Sequence, residues 1–278
     1  MRLARIGPAG AEVPAVLDGE TWRDLRSVTA DIDGAFLSRM SQVDWADVLP
    51  RLPTVEAGRF GAPISTPGKV VCIGLNYRDH AAESGMEPPA EPVVFMKDPA
   101  TVVGPDDPVL IPRRSVKTDW EVELAVVIGS TARYLPDEEA ALACVAGYAV
   151  ANDVSEREFQ LERGGQWDKG KSCETFNPLG PVLVSADEVA DPHDLGLRLW
   201  VNGQLRQDGS TADMIFTVGH VIHYLSQFMV LHPGDVINTG TPAGVAMGLP
   251  GQPYLRAGDV MELEIDGLGR QTQKLEQA

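Results

Sequence analysis

Apolar positions along this chain recur mostly with the two-residue period of strands rather than the longer period of helices. Arg2–Ile6 and Ala15–Leu17 read as short strands, the second ending in the turn Asp18-Gly19. After a polar stretch, Phe36, Leu37, Met40, Val43, Trp45 and Val48 fall at helical spacing and predict a helix over 34–49. Arg51–Lys69 carries Pro53, Pro63, Pro67 and three glycines, the composition of a linker. From there strands dominate: Lys69–Leu75, Val93–Met96, Val122–Ile128, Ala146–Ala151, Pro181–Val184, Leu197–Val201, Asp235–Thr239 and Val260–Ile265. Asn202-Gly203 is a hairpin turn signal. Helices are predicted only at Asp137–Val145, Ser155–Arg163 and Met214–Met229. Strands that do not alternate regularly with helices argue against a doubly wound sheet. The expected fold class is therefore α+β and β-rich, a mixed β roll or barrel. The expected division is a small N-terminal domain with its linker over 1–65, then a larger domain over 66–278.

Composition narrows the classes of function. The 278 residues include 44% apolar ones, ample for a core. Twenty-three basic residues against 40 acidic ones give a net charge of −17, which disfavours nucleic acid and anionic membranes as partners. A chain so acidic binds a small anion only through a local cation, either an Arg/Lys cluster or a metal. No run approaches the ~18 apolar residues of a membrane span, and MRLARIGPAGAEVP lacks the apolar core of a signal peptide. Cys72, Cys144 and Cys173 lie far apart with no CxxC spacing, which fits a reducing cytoplasm and structural thiols better than a disulfide framework or a zinc site.

Candidate chemistry begins at Asp119-Trp120-Glu121-Val122-Glu123-Leu124-Ala125. In a strand, Val122, Leu124, Val126 and Ile128 share one apolar face, while Glu121 and Glu123 open the other, which continues with Ala125 and Val127. Two carboxylates on a largely buried face repel each other and resist desolvation. A hard divalent cation resolves both difficulties. Placement at the wet end of the strand resolves them too, and spacing alone does not separate the two. Asp153 ends the apolar strand Ala146–Ala151, before a helix that Ser155 and Glu158 could cap as a capping box. Asp153, Arg157 and Gln160 would then line one helical edge, although a capping acid and a surface cation give the same pattern.

In Gly74-Leu75-Asn76-Tyr77-Arg78-Asp79-His80-Ala81-Ala82-Glu83-Ser84-Gly85, His80 and Glu83 are i, i+3 on a short helix. A carboxylate beside an imidazole orients it and raises its basicity, so the pair can activate water; it can equally be a surface pair. Gly85, Pro88 and Pro89 beyond it look like the hinge of a lid. Gly165-x4-Gly170-Lys171-Ser172 matches the string of a P-loop but follows a helix rather than a strand, which speaks against nucleotide binding. His220 and His223 are also i, i+3, on an amphipathic helix where structural histidines are common. Gly240-Thr241-Pro242-Ala243-Gly244 is a turn that could offer N–H groups to a ligand carboxylate.

Taken together, GLNYRDHAAE, FMKDPATVVGP, KTDWEVELAVVIG, NDVSEREFQ, KGKSCETFNPLGP and LHPGDVINTGTPAGV resemble the fumarylacetoacetate hydrolase superfamily over about residues 69–266. The small N-terminal domain and the NDVSEREFQLERGGQWDKGKSC block resemble most the bacterial 2,4-diketo-3-deoxy-L-rhamnonate and L-fuconate hydrolases. That resemblance implies metal ligation by Glu121, Glu123 and Asp153, with Mg²⁺ or Mn²⁺ as cofactor. It implies a water-activating dyad of His80 and Glu83, with Lys171 and Gln160 near the reacting carbonyl. It also implies substrate contacts from Arg157, Thr241, Lys97 and Tyr77. A fourth metal-binding aspartate of the tyrosine-degrading branch has no counterpart here, because GLNYRDH replaces its region. The implied protein is a cytoplasmic homodimer that hydrolyses the C3–C4 bond of a diketo sugar acid to pyruvate and lactate. Loop Glu162–Trp167 and the segment near Met86 are the expected walls of the acyl site. A generic acylpyruvase, an oxaloacetate decarboxylase, a ureidoglycolate lyase and, outside enzymes, a metal-dependent small-acid-binding protein are the competing readings.

Overall fold

The computed structural model describes residues 1–56, 58–83, 85 and 87–278. In chain order the strands are β1 Arg2–Ile6, β2 Val13–Asp18, β3 Thr21–Asp24, β4 Val70–Gly74, β5 Val93–Lys97, β6 Val102–Val103, β7 Val109–Ile111, β8 Thr118–Asp119 and β9 Val122–Ile128. They continue with β10 Val145–Asn152, β11 Ser155–Glu156, β12 Asn177–Ser185, β13 Gly196–Val201, β14 Gln204–Ser210, β15 Val236–Asn238, β16 Val260–Ile265 and β17 Gly269–Gln277. The α-helices are α1 Gly34–Leu37, α2 Trp45–Val48, α3 Arg78–Glu83, α4 Glu138–Leu142, α5 Asp168–Lys171 and α6 Val218–Ser226.

The main sheet runs β3-β2-β1-β12-β10-β9-β15-β4-β5, with β6 beside β12, and a second sheet runs β14-β13-β16-β17-β7. Among the described residues neither sheet closes on itself, so the β-rich α+β expectation holds without barrel closure. The first three strands join the main sheet where Arg2 and Leu3 of β1 pair with Val184 and Leu183 of β12. Every residue of β9 is buried, as a continuous VELAVVI run requires of a strand covered on both faces. Its apolar set belongs to a core shared with Leu197, Leu199, Met261 and Leu263 of the second sheet. Ala125 and Val127 pack into a separate core with Leu3, Phe36 and Leu183.

Three sequence expectations are corrected. The helix over 34–49 is broken into α1, a 3₁₀ turn at Met40–Gln42 and α2. Asp33 and Asp44 each accept a backbone N–H three residues on, so each starts a new short helix. Ser155–Arg163 is not a capped helix but β11 followed by a π-helix over Glu158–Glu162. Ser155 is buried, pairs with Asp119 across β8–β11 and donates its hydroxyl to the Asp153 carbonyl, so no capping box forms. The third helix is shorter than Met214–Met229, because the Thr217 side chain accepts the His220 N–H and starts α6 at Val218. No described helix is long and apolar enough to cross a membrane.

Candidate metal and catalytic site

The antiparallel register of β9 and β10 builds the site. Val122 pairs with Asn152 and Glu123 with Ala151, so Asp153, one residue past the end of β10, arrives beside Glu121. The Asp153 N–H donates to the Glu121 carbonyl at 2.9 Å, and the Asn152 side-chain oxygen accepts the Glu121 N–H at 3.1 Å. Glu121, Glu123 and Asp153 each bring an oxygen to within 4.8 Å of the others, and all three are buried.

Cations surround this group unequally. Lys171 Nζ, on α5, donates to Glu121 Oε2 at 2.7 Å and to Asp153 Oδ2 at 2.8 Å. Lys97, at the end of β5, bonds the other oxygen of Asp153 and the Val154 carbonyl. Arg157 bonds Asp119 at 2.8 Å, Glu121 at 2.6 Å and the Gln160 side-chain oxygen at 3.0 Å. Among the described residues, Glu123 has only the Gly240 N–H, at 2.8 Å. The two glutamates diverge accordingly. Burial pushes Glu121 up, but Lys171 and Arg157 override it and hold the carboxyl at about 2. Burial pushes Glu123 well above the ordinary carboxylate range, and Asp153 and Glu121 push the same way. The same two neighbours raise Lys171 against the opposing effect of its burial.

Helix α3 sits at the mouth. His80 Nδ1 lies 3.4 Å from Glu83 Oε2. The Glu83 carboxylate accepts the Gly244 N–H at 3.0 Å, and Asp79 accepts the Ala243 N–H at 3.2 Å. The turn 240–244 therefore docks the helix, with the N–H groups of Gly240, Ala243 and Gly244 taken by Glu123, Asp79 and Glu83. Thr241 is pinned in the same turn, donating to the Val122 carbonyl and accepting from Gln207.

A cavity of about 350 Å³ joins these parts, with His80, Glu83, Glu121, Glu123, Arg157, Gln160, Lys171 and Thr241 on its wall. Asp153 and Lys97 lie beneath that wall, with Lys97 spent on Asp153. Tyr77 is fully buried in the core, does not line the cavity, and its hydroxyl has no partner among the described residues. The expected wall at Trp167 is present; Met86 lies outside the described residues. Asp119 is the residue the sequence reading passed over. Buried, it takes the N–H groups of Trp120, Ala246 and Met247 as well as Arg157, so it ties the cavity's far loop to the arginine. Its place two residues before Glu121 in TDWEVE was the available signal.

Comparison with known proteins follows this geometry. Residues 69–276 match the family model described as fumarylacetoacetate (FAA) hydrolase, C-terminal. A Burkholderia ambifaria relative with only a generic hydrolase name is 52% identical over 286 residues and is covered completely, as is this chain. A Mycobacterium abscessus structure named a probable 2-hydroxyhepta-2,4-diene-1,7-dioate isomerase is 34% identical, with TM-score 0.85 over 100% of this chain and 99% of that one. The maleylpyruvate hydrolase of Sphingobium sp. SYK-6, solved with manganese(II) and pyruvate, is 28% identical, with TM-score 0.82 over the whole of both chains.

Proposed function

The chain belongs to the fumarylacetoacetate hydrolase family, and on that premise we propose that it is a divalent-metal-dependent hydrolase of 2,4-dioxo acids, cleaving C3–C4 to release pyruvate and a carboxylic acid. The observation that carries this reading is one cavity holding a buried three-carboxylate group and a His–Glu pair.

The donor set fits Mg²⁺ or Mn²⁺. Three hard carboxylate oxygens lie close together, and one of them, on Glu123, has no cationic side chain bonded to it among the described residues. Charge agrees with an anionic substrate. Around the grouped carboxylates, Asp119, Glu121 and Asp153 balance Arg157, Lys97 and Lys171, so a divalent ion with ionised Glu123 leaves one net positive charge there for the carboxylate of an oxo acid, while Glu83 carries its charge separately at the mouth. When bound, the ion supplies Lewis-acid polarisation of the oxo-acid end.

The protein's own groups do the rest. His80, oriented by Glu83, takes a proton from water as its oxygen bonds to C4. The Gln160 amide is fixed by Arg157, which bonds its oxygen and leaves its NH₂ for the developing oxyanion, with Lys171 adjacent. The C3–C4 bond then breaks, its electron pair passes to the pyruvate fragment, and the proton held by His80 returns to C3. The sum is R–CO–CH₂–CO–COO⁻ + H₂O → R–COOH + CH₃–CO–COO⁻. A decarboxylase uses no attacking water, so a dyad that activates water favours hydrolysis over decarboxylation. A narrower assignment follows from the resemblance alone: a 2,4-diketo-3-deoxy sugar acid of L-rhamnonate or L-fuconate type, with lactate as second product and a homodimer as the working form. It adds the demand that the acyl end bind hydroxyls.

The test is pyruvate release from acetylpyruvate with Mn²⁺ or Mg²⁺ and its loss on adding EDTA. No release with either ion, from acetylpyruvate or from a longer acylpyruvate, overturns the reading.

A further inference from the structure

Resting on that reaction, we propose that the acyl arm accepted by this site is uncharged and apolar, an alkyl chain or an aryl ring, and that Phe95 and Trp167 set this choice. The argument starts at Lys171. Its Nζ lies 5.0 Å from the centre of the Phe95 ring, so the polar end of the cavity meets its apolar end there. Phe95 packs edge-on against Trp167, with ring centres 5.4 Å apart. Trp167 in turn lies against the backbone where β4 ends: a Cβ placed on Gly74 would sit 2.7 Å from its Cζ3. Ile73 and Leu75 flank Gly74 here, and Leu161 and Met247 add apolar surface elsewhere on the cavity wall. A substituent on a carbonyl held near Lys171 therefore runs along Phe95 towards Trp167.

Among the described residues, the side chains that line that end carry no charge, and the Trp167 indole N–H is their one polar group. The side-chain cations on the cavity wall, among the described residues, are Arg157 and Lys171. Arg157 is committed to Asp119, Glu121 and Gln160, and Lys171 to Glu121 and Asp153. A carboxylate on the acyl arm would be desolvated without a partner. The several hydroxyls of a sugar-acid arm would lose water against largely apolar walls that offer fewer side-chain partners than the arm has hydroxyls. An alkyl or aryl arm gains instead, at roughly fourfold for each buried methylene. This choice sets aside the sugar-acid assignment and keeps the hydrolysis.

The full chain, loaded with Mn²⁺, is assayed for pyruvate release from acetylpyruvate, hexanoylpyruvate, benzoylpyruvate, fumarylpyruvate and 5-hydroxy-2,4-dioxohexanoate. The expected kcat/KM for hexanoylpyruvate or benzoylpyruvate exceeds that for acetylpyruvate by at least about tenfold and that for fumarylpyruvate by more. Trp167→Ser should shrink the hexanoyl-to-acetyl ratio at least about fivefold. Leu161→Arg, at a position 44% exposed, should raise the fumaryl-to-hexanoyl ratio and serves where Trp167→Ser does not fold. Release from acetylpyruvate with fumarylpyruvate or the hydroxylated acid preferred, or equal values along the series, overturns this inference and leaves the hydrolase reading standing. No release from any member overturns both.

Discussion

Glu123 is the carboxylate on which metal binding turns. Glu121 and Asp153 already have ammonium or guanidinium partners, whereas Glu123, among the described residues, is met only by the Gly240 N–H. Glu123→Gln keeps an oxygen for that N–H and removes the one carboxyl of the group whose ionisation burial and its neighbours oppose. Mn²⁺ affinity should fall by about a hundredfold or more, while the melting temperature of the metal-free protein holds or rises, because the folded variant no longer has to keep a carboxyl protonated beside Glu121 and Asp153. Calorimetric titration decides: wild-type affinity in the variant removes Glu123 from the ligand set. His80 gives the opposite profile. It is not among the grouped carboxylates, so His80→Gln should leave Mn²⁺ binding intact and lower kcat by ~10²–10⁴-fold, the usual contribution of a general base. A variant retaining more than about a tenth of wild-type kcat rules His80 out as that base.

At the scale of elements, two glycines hold the site's geometry. Gly248, on the far wall, lies so close to Glu83 that a Cβ there would overlap its Cδ. Gly248→Ala should displace the Glu83 carboxylate from His80 and lower kcat at least about tenfold, with Mn²⁺ affinity unchanged; unaltered kcat shows that the dyad tolerates the shift. Gly170 on α5 is packed equally hard, within 2.5 Å of the Gln160 N for an added Cβ, which keeps Lys171 and Gln160 in one place. These elements also show what the sequence could reveal. β9 and β10 were legible because continuous apolar runs have few other ways to be buried, and the E-x-E offset placed both carboxylates correctly. The stretch Ser155–Arg163 was not legible. Its helical periodicity is local, and the pairing of Ser155 with Asp119 across 36 residues decides the outcome. The gathering of Arg157, Gln160 and Lys171 depends on that same long-range pairing, so spacing alone gave their neighbours for the wrong reason. Trp167 was placed near the substrate, but its packing on Gly74 and Phe95 has no local signal at all.

Over the whole molecule, pH acts on stability with opposite signs in two windows. Outside the site, burial raises Glu12 but its bond to Arg59 overrides this and leaves the carboxyl below its usual range, and Arg26 lowers Asp24 directly. Depressed carboxyls contribute stability above their unfolded values, and it is lost as pH falls through the folded ones, which confines this effect to acid. Glu123 behaves in reverse. Its folded value is raised, so from the ordinary carboxylate range upward the folded chain holds a proton that the unfolded chain has released, and stability of the metal-free protein declines as pH rises. A metal must expel that proton, so its affinity should rise with pH, by at most about tenfold per unit for one proton. The consequence is visible in melting curves. At a Mn²⁺ concentration a hundredfold above its dissociation constant, binding adds about 3 kcal/mol, worth several degrees for a chain of this length. At one fixed Mn²⁺ concentration the gain over an EDTA sample should be larger at pH 8 than at pH 6. Taking the difference at each pH cancels the general effect of the −17 net charge, since both samples share it. Glu123→Gln, with no proton to expel, should show a smaller gain that no longer grows with pH. Equal gains at pH 6 and pH 8 in the wild-type protein would mean that Glu123 is already ionised before the metal arrives.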